Sequence, residues 1–248
     1  MATPAPKTSE IHETLTAYID AGQVLPEWEA AKVKREIRAL DNPVAKVMLT
    51  ALCHGAMGQE EDAIAAFEDG MARFYDIRIG GNFSTYLRRI GRFADYVKVA
   101  FSLADKYEEP EIVKDAWETA QVICDVNRIS SLAQKLRKYY PDEQGATIMT
   151  TSETFSRMLK GFEVDFGVKD LDINGLAMAC VSVASQYRVF IRGSGVRTGD
   201  GLVMMCFELD SCDPEQLADM NLDLAMRLAE NDRLMDLPVT AWFRGKSE

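Results

Sequence analysis

Apolar side chains recur every three or four positions through the first ~140 residues, which is the period of one face of an α-helix. The pattern predicts helices at about 9–21, 26–40, 43–57, 60–74, 83–90, 93–106, 111–124 and 128–139. Prolines at two helix starts and glycines in three turns agree with these limits: Pro43, Pro110, Gly22, Gly58 and Gly91. We therefore expect about four helical hairpins, each made of two helices joined by a short turn.

Side chains of similar size recur 34 residues apart within this segment. The series are Tyr18, Leu52, Tyr86 and Ala120; Ala56, Ile90 and Cys124; Ala63 and Val97; Phe67 and Phe101; Gly70 and Ala104. A small residue lets two helices approach and a large one fills the groove a turn later, so this recurrence predicts stacked hairpins. The large aromatic residues at helical spacing are expected in the core: Trp28, Phe67, Phe101 and Trp117.

The repeated positions carry a resemblance to a known family. Gly58, Ala63, Phe67 and Gly70 occupy glycine, alanine, aromatic and small positions, and the last three recur as Val97, Phe101 and Ala104. In these residues the chain resembles the tetratricopeptide repeat family over roughly residues 10–141. The resemblance implies an α-solenoid over 9–144 and a protein partner, because members commonly bind peptides or helices in a concave groove. The basic carboxylate clamp of such proteins has no counterpart here.

After Tyr139 the pattern changes, and we predict a domain boundary near Gly145 and a separate domain over 145–248. A helix capped by Thr151 or Ser152 is expected to run to about Gly161. Segments rich in Val, Ile, Cys and aromatic residues predict strands at 176–185, 187–192, 202–209 and 238–244, with 193–201 as a hairpin loop. Asp213, followed by Pro214, is the expected N-cap of a helix to about residue 231.

The predicted fold class is therefore α+β and multidomain. An all-α array of tetratricopeptide-like hairpins precedes a small α+β domain. Its mostly antiparallel sheet of three or four strands is covered by two helices on one face.

Composition limits the function classes. The chain contains 28 Lys and Arg residues and 39 Asp and Glu residues. Its formal net charge of −11 opposes non-specific attachment to nucleic acid or anionic lipid. Residues 1–8 are predicted to be a disordered tail without an export signal. The longest apolar run, 176–184, is far shorter than the ~20 residues that cross a bilayer. Five cysteines without a Cys-x-x-Cys indicate thiols in a reducing compartment, so we expect a cytoplasmic protein.

One segment matches the start of a calcium loop. Asp170, Asp172, Asn174 and Gly175 have the types and spacing of the first six EF-hand positions. The twelfth position, which should be a bidentate glutamate, is Val181. A strand followed by a turn is therefore the favoured interpretation, and these three oxygen ligands are only a candidate metal site.

Catalytic chemistry and cofactor binding find little support. The glycines at 193–201 precede a predicted strand, whereas a phosphate-binding loop precedes a helix. The two histidines, His12 and His54, lie in the repeat segment, away from the nucleophiles of the second half. Acid pairs at 163/165 and 208/210 could approach each other across strands, but solvated strand edges explain them equally well. We expect no cofactor and no enzymatic activity.

Basic residues concentrate in one place. Arg188 and Arg192 alternate with Phe190 on a predicted strand face, and Arg197 lies in the predicted loop beyond. An exposed aromatic flanked by arginines can stack on and neutralise single-stranded nucleic acid, or meet an acidic protein. A solvated strand face with extended arginines is the simpler alternative.

These observations favour a non-enzymatic adaptor or regulator. In this hypothesis the solenoid holds a protein partner, and the α+β domain forms a homodimer or binds a second partner. Two alternatives remain open. One is a nucleic-acid-directed regulator of a mobile-element or defence system. The other is an acidic protein that mimics nucleic acid and occupies a site on a strongly basic partner protein.

Overall fold

A computed structural model of the chain describes residues 7–210 and 213–245. The chain divides into two compact units, Met1–Ile90 and Gly91–Glu248. Most of the predicted tail lies outside the described residues, as does Cys212, but residues 7 and 8 belong to the first helix. None of the helices within the described ranges is long and apolar enough to cross a membrane.

The first unit is helical throughout its described part. Its elements are α1 (Lys7–Asp20), α2 (Glu27–Ala39), α3 (Pro43–Ala56), α4 (Glu60–Arg73) and α5 (Ile77–Arg89). Helix α3 packs against α1, α2 and α4, and α5 packs against α3 and α4. The apolar face of each helix is therefore covered by its neighbours.

The second unit combines helices with a sheet. Its helices are α6 (Phe93–Lys106), α7 (Pro110–Val122), α8 (Val126–Tyr139), α9 (Glu143–Phe166), α10 (Asp170–Gln186), α11 (Pro214–Ala229) and α12 (Asp232–Met235). Its strands are β1 (Ile191–Gly199), β2 (Leu202–Leu209) and β3 (Val239–Arg244). Helix α7 packs between α6 and α8, α8 packs on α9, and α10 contacts α6, α9 and α11.

The predicted helices of the first 140 residues are confirmed, with one shift. The fifth helix begins at Ile77, not at 83, because the Asp76 side chain accepts a hydrogen bond from the Arg78 amide and caps the helix there. Pro43 and Pro110 stand in the first turns of α3 and α7, as expected.

Most positions of the 34-residue recurrence are buried. Fully or nearly fully buried members are Leu52, Tyr86 and Ala120; Ala56 and Cys124; Ala63 and Val97; Phe67 and Phe101; Gly70 and Ala104. The recurrence therefore marks core positions of the helices, as the size pattern predicts for these side chains.

The predicted turns at glycines are also confirmed. Gly22, Gly58 and Gly91 have positive φ angles of 61°, 73° and 70°, a left-handed conformation that glycine adopts without a steric cost. Cys124 takes the equivalent place after α7 with φ 56°. Its thiol is buried, and burial raises the pKa of the Cys124 thiol to about 12.

Two helices of the second half differ from the prediction. Residues 176–185, predicted as a strand, lie in helix α10, which is buried on most sides. An apolar run does not by itself distinguish a buried helix from a strand. The preceding helix, α9, begins at Glu143 with Asp142 as its N-cap, and not at residue 151 or 152.

The sheet has the order β1-β2-β3. Strands β1 and β2 form the predicted antiparallel hairpin, but the predicted loop 193–201 is wrong: all but its last two residues belong to β1. The turn consists of Asp200 and Gly201, both with positive φ, as in the two-residue turns that Asp-Gly favours.

Strand β3 pairs with β2 in parallel, so the sheet is mixed and not mostly antiparallel. The chain between β2 and β3 forms helices α11 and α12, and a connection of this length allows it to return to the same end of the sheet. The predicted caps and strand are confirmed here: Asp213 accepts hydrogen bonds from two amides of the first turn of α11. Helical hairpins followed by an α+β part are thus the observed fold class.

Candidate functional site

The predicted basic strand face does not form. Phe190 is 6% exposed, and its ring packs edge-on against Phe93 and Tyr96 at centroid distances of 4.8 and 5.1 Å. Arg188 precedes β1 in a left-handed conformation, and Arg192 lies at a register irregularity in β1. The expectation of an exposed Phe190 flanked by arginines is therefore wrong, because this aromatic belongs to the core of the second unit.

Arg197, the last member of that prediction, lies on a different surface. Strand register places three cross-strand rows on one side of the sheet, here called the outer sheet face. The rows are Gly193, Glu208 and Arg244; Gly195, Cys206 and Trp242; Arg197, Met204 and Thr240. The alternate residues of β2 are buried on the opposite side: Val203, Met205, Phe207 and Leu209.

Two arginines and an indole interact on the outer sheet face. The Arg197 guanidinium lies 5.4 Å from the centroid of the Trp242 ring, within the range of a cation–π contact. Arg244 donates a hydrogen bond of 3.2 Å to the Glu208 carboxylate. Across the described residues, no carboxylate lies within ion-pair distance of Arg197.

A cavity of about 360 Å³ opens on this face, lined by Gly195, Val196, Arg197, Cys206, Trp242 and Arg244. A β-carbon at Gly193 or Gly195 would have no atom within 4 Å, so the missing side chains leave open space above β1. Burial raises the pKa of the Cys206 thiol, and the charges of Arg244 and Arg197 offset this in part. The thiol is therefore protonated at neutral pH and is a poor nucleophile.

The candidate calcium ligands do not surround a loop. Asp170, Asp172 and Asn174 lie in the first turns of helix α10. The Asp172 carboxylate is buried, receives a hydrogen bond from the Arg233 Nε at 2.5 Å and another from the Lys169 amide, and so is already neutralised. The Asn174 side-chain amide donates to the Ile123 carbonyl. These contacts give Asp172 and Asn174 structural roles.

The other acidic residues in the described part of the chain do not form a metal site either. No group of three or more His, Cys, Asp or Glu residues there has the geometry to hold a metal ion. Glu163 and Asp165, expected on a strand, lie on helix α9, and Glu208 pairs with Arg244. The cross-strand acid pairs proposed from the sequence are therefore not present as such.

Trp28 is 72% exposed and so is not a core residue, contrary to the prediction. The buried face of α2 consists of Ala30, Val33 and Ile37, and Trp28 is out of phase with it. Helical spacing puts Lys32 and Arg35 on the side of Trp28, and both are exposed. Trp28, Lys32 and Arg35 are here called the α2 surface.

Helix α11 also exposes an apolar stripe. Leu222 is 61% and Met226 is 54% exposed. Exposed alanines continue the stripe at helical spacing: Ala218, Ala225 and Ala229. Glu215, Asp219 and Glu230 lie beside it, one helical turn from stripe residues, and are exposed. The stripe with these three acidic residues is here called the α11 surface.

Sequence signals for these surfaces existed but were weak. The out-of-phase position of Trp28 in α2 indicates exposure, and the spacing of two between Trp242 and Arg244 indicates a shared face of β3. The glycines at 193, 195 and 199 alternate in the same way. Their assembly on one sheet face depends on strand order, which these local patterns do not contain.

Comparison with known proteins identifies no relative. No model of a protein family matches the chain, and neither a curated protein nor a solved structure is significantly similar to it. The resemblance to tetratricopeptide repeats therefore stays a prediction, and functional inference depends on the surfaces described above.

Proposed function

We propose that the protein is a non-enzymatic adaptor that binds an acidic segment of one protein partner through the α2 surface. The observation that carries this proposal is Trp28, a large aromatic residue that is 72% exposed on a helix whose opposite face is packed. Exposing an indole to water is unfavourable, and tryptophan and arginine are the residue types most enriched where binding energy concentrates in protein interfaces.

Charge selects the partner of this surface. Lys32 and Arg35 follow Trp28 on the same side of α2, one and two helical turns toward its C-terminus, and within the described residues neither has an ion-pair partner. Their charges are therefore available to carboxylates of another molecule. A partner with an apolar side chain to cover the indole and acidic residues opposite Lys32 and Arg35 fits this arrangement.

A second surface of opposite charge supports the adaptor proposal. The α11 surface presents Leu222 and Met226 beside three carboxylates, and a flexible methionine adapts to varied apolar partners. Its small alanines allow a second helix to approach closely. We infer that this surface takes an amphipathic helix with basic flanks, because two copies of the acidic stripe would repel each other.

The experiment places a photo-crosslinking residue at Ala31 on α2, at Ala225 on α11 and, as a control, at Val164. Val164 is 83% exposed on α9 and belongs to neither surface. Crosslinking is performed in a lysate of the native host with and without nuclease, and the crosslinked peptides are sequenced. We expect a protein with an acidic segment at position 31, a different protein with a basic helix at position 225, and neither at position 164.

Matched variants distinguish specific binding from collision. Trp28→Ala, or Lys32→Glu with Arg35→Glu, should abolish crosslinking at position 31, while Lys160→Glu on α9 should not change it. Trp28→Ala should change the free energy of unfolding by less than about 0.5 kcal/mol, since the side chain is exposed. Crosslinks that disappear with nuclease, or that persist in the charge-reversal variant, would contradict the adaptor proposal. Crosslinking of position 225 to a second copy of the chain would show that the α11 surface forms a homodimer and does not bind a different protein.

A further inference from the structure

We propose that the outer sheet face is a binding site for a small, flat ligand with one anionic group, such as a nucleoside monophosphate or an aromatic carboxylate. This inference concerns a different surface from the proposed partner sites and does not depend on them. It follows from the cavity, the Arg197 guanidinium without a carboxylate partner in the described ranges, and the indole, which strand register brings together.

The shape of the cavity suits a planar group. Its central row is Gly195, Cys206 and Trp242, so that the backbone forms the floor at one side and an indole forms a wall at the other. No atom lies within 4 Å of the position of a β-carbon on Gly195. A volume of about 360 Å³ is within the range of about 300–1,000 Å³ in which small-molecule sites fall.

The charges of the outer sheet face favour an anionic ligand. Arg197 has no carboxylate partner in the described ranges, and Arg244 shares its charge with Glu208 at 3.2 Å. Guanidinium groups match carboxylates and phosphates in geometry and can also stack on aromatic rings. The face therefore carries a net positive charge in an otherwise acidic protein.

The charge of the whole chain limits the ligand to a small one. A formal charge of −11 repels a polyanion, and nucleic acid would need several phosphate contacts where this face supplies two arginines. A single anionic group on a ring experiences little of that repulsion. The ring contacts Trp242 and the backbone of β1, and the anionic group meets Arg197 and Arg244.

The chemistry of the lining indicates binding without covalent reaction. The Cys206 thiol is the one potential nucleophile in the lining, and burial keeps it protonated. It offers an S–H donor and a polarizable surface to the ligand. We therefore expect reversible, saturable binding.

The test observes Trp242 directly. The chain contains three tryptophans, so protein labelled with 5-fluorotryptophan gives three fluorine NMR signals, and Trp242→Phe assigns one of them. The full chain is titrated with the four nucleoside 5′-monophosphates, with indole-3-acetate and benzoate, and with inorganic phosphate. We expect the Trp242 signal alone to shift, with saturation below about 1 mM for at least one ring-bearing anion and a weaker response to inorganic phosphate.

Variants determine whether the cavity causes the shift. Gly195→Leu fills the open space, and Arg197→Gln removes the guanidinium charge that would meet the anionic group; each should weaken binding by roughly tenfold or more. Arg192→Gln, on the same strand but outside the lining, should leave the affinity unchanged. The other two tryptophan signals report whether each variant is folded, and Arg197→Gln alters an exposed side chain and so still tests the site if Gly195→Leu does not fold.

The titrations also show whether the anionic group of the ligand is a phosphate or a carboxylate. Preference for the nucleotides assigns the phosphate form, and preference for the aromatic acids assigns the carboxylate form; either supports the proposal. If none of the ring-bearing anions shifts the Trp242 signal below about 10 mM, or if Arg197→Gln and Arg192→Gln bind equally well, the outer sheet face is not such a site.

Discussion

Glycine at position 70 lies where helix α4 approaches α3 and α5. A β-carbon added there would be 2.6 Å from the Val47 Cγ1 atom and 3.2 Å from the Ile79 Cγ2 atom, closer than van der Waals contact. The small residue at this position of the 34-residue recurrence is therefore required by helix packing. Gly81 in α5, by contrast, has no atom within 4 Å of the corresponding point.

These two glycines make a matched pair for mutagenesis. Gly70→Ala should lower the free energy of unfolding by about 1–3 kcal/mol, because the methyl group displaces the side chains of Val47 and Ile79. Gly81→Ala should raise it by about 0.5–1 kcal/mol, because alanine favours the helix and meets no obstacle. Urea unfolding measures both, and a Gly70→Ala protein as stable as the unsubstituted one would show that the helices are less closely packed than described.

At the scale of the element, the start of helix α6 shows how side chains stabilise a helix. Partial burial raises the pKa of the Asp95 carboxyl, but hydrogen bonds from Lys98 at 2.8 Å and Arg92 at 2.6 Å outweigh it. The net result is a pKa below the usual value for aspartate. A negative charge in the first turn is also favoured by the helix dipole.

The lowered pKa of Asp95 predicts a pH dependence. A carboxyl group whose pKa falls on folding contributes stability above its unfolded pKa, about 3.9, and loses this contribution as the pH falls through the folded value. Asp95→Asn should therefore lower the unfolding free energy by about 1 kcal/mol at pH 7, and the difference should shrink below about pH 4. Urea unfolding from pH 7 to 3 tests this, with the exposed Glu163→Gln as a control. A difference that is independent of pH would contradict it.

Helix α10 shows the limit of local patterns at the same scale. Its buried residues include Ile173, Val181 and Val183, whose branched side chains favour strands, and its apolar positions surround the helix. Periodicity is lost when a helix is buried on most sides, and the pattern then resembles that of a buried strand. Only contacts with α6, α9 and α11 distinguish the two.

At the scale of the whole molecule, an independently folding C-terminal part could begin at either of two positions. Compactness divides the chain at Ile90/Gly91, whereas the change of pattern along the sequence predicts a boundary near Gly145. Gly145 lies in the first turn of α9. Within the second unit, Phe190 packs against rings of α6, and the Ser194 hydroxyl donates to the Val122 carbonyl at the end of α7.

Fragments decide between these two positions. A fragment of residues 91–248 should unfold cooperatively in urea. A fragment of residues 145–248 should not, because it lacks α6, and the Phe190 ring and one side of α10 are then exposed to water. Far-UV circular dichroism and the dispersion of amide NMR signals measure this. Equal midpoints for the two fragments would instead place the boundary near Gly145.

The sequence by itself determined the local features of this protein. Helical phase, proline and glycine positions, the Asp213 cap and the 34-residue recurrence act over a few residues or between neighbouring helices, so composition and spacing are sufficient to infer them. The predicted helical hairpins followed by an α+β part are accordingly observed.

The tertiary structure decided which side chains share a surface. Arg197 and Trp242 are adjacent on the outer sheet face although 45 residues separate them, because β3 returns parallel to β2 after two helices. In the tertiary structure Phe190 is buried and Trp28 is exposed, and both outcomes are contrary to the prediction. Strand order and burial depend on contacts between distant segments, whose free energies sum over the whole fold, and no short stretch of sequence contains them.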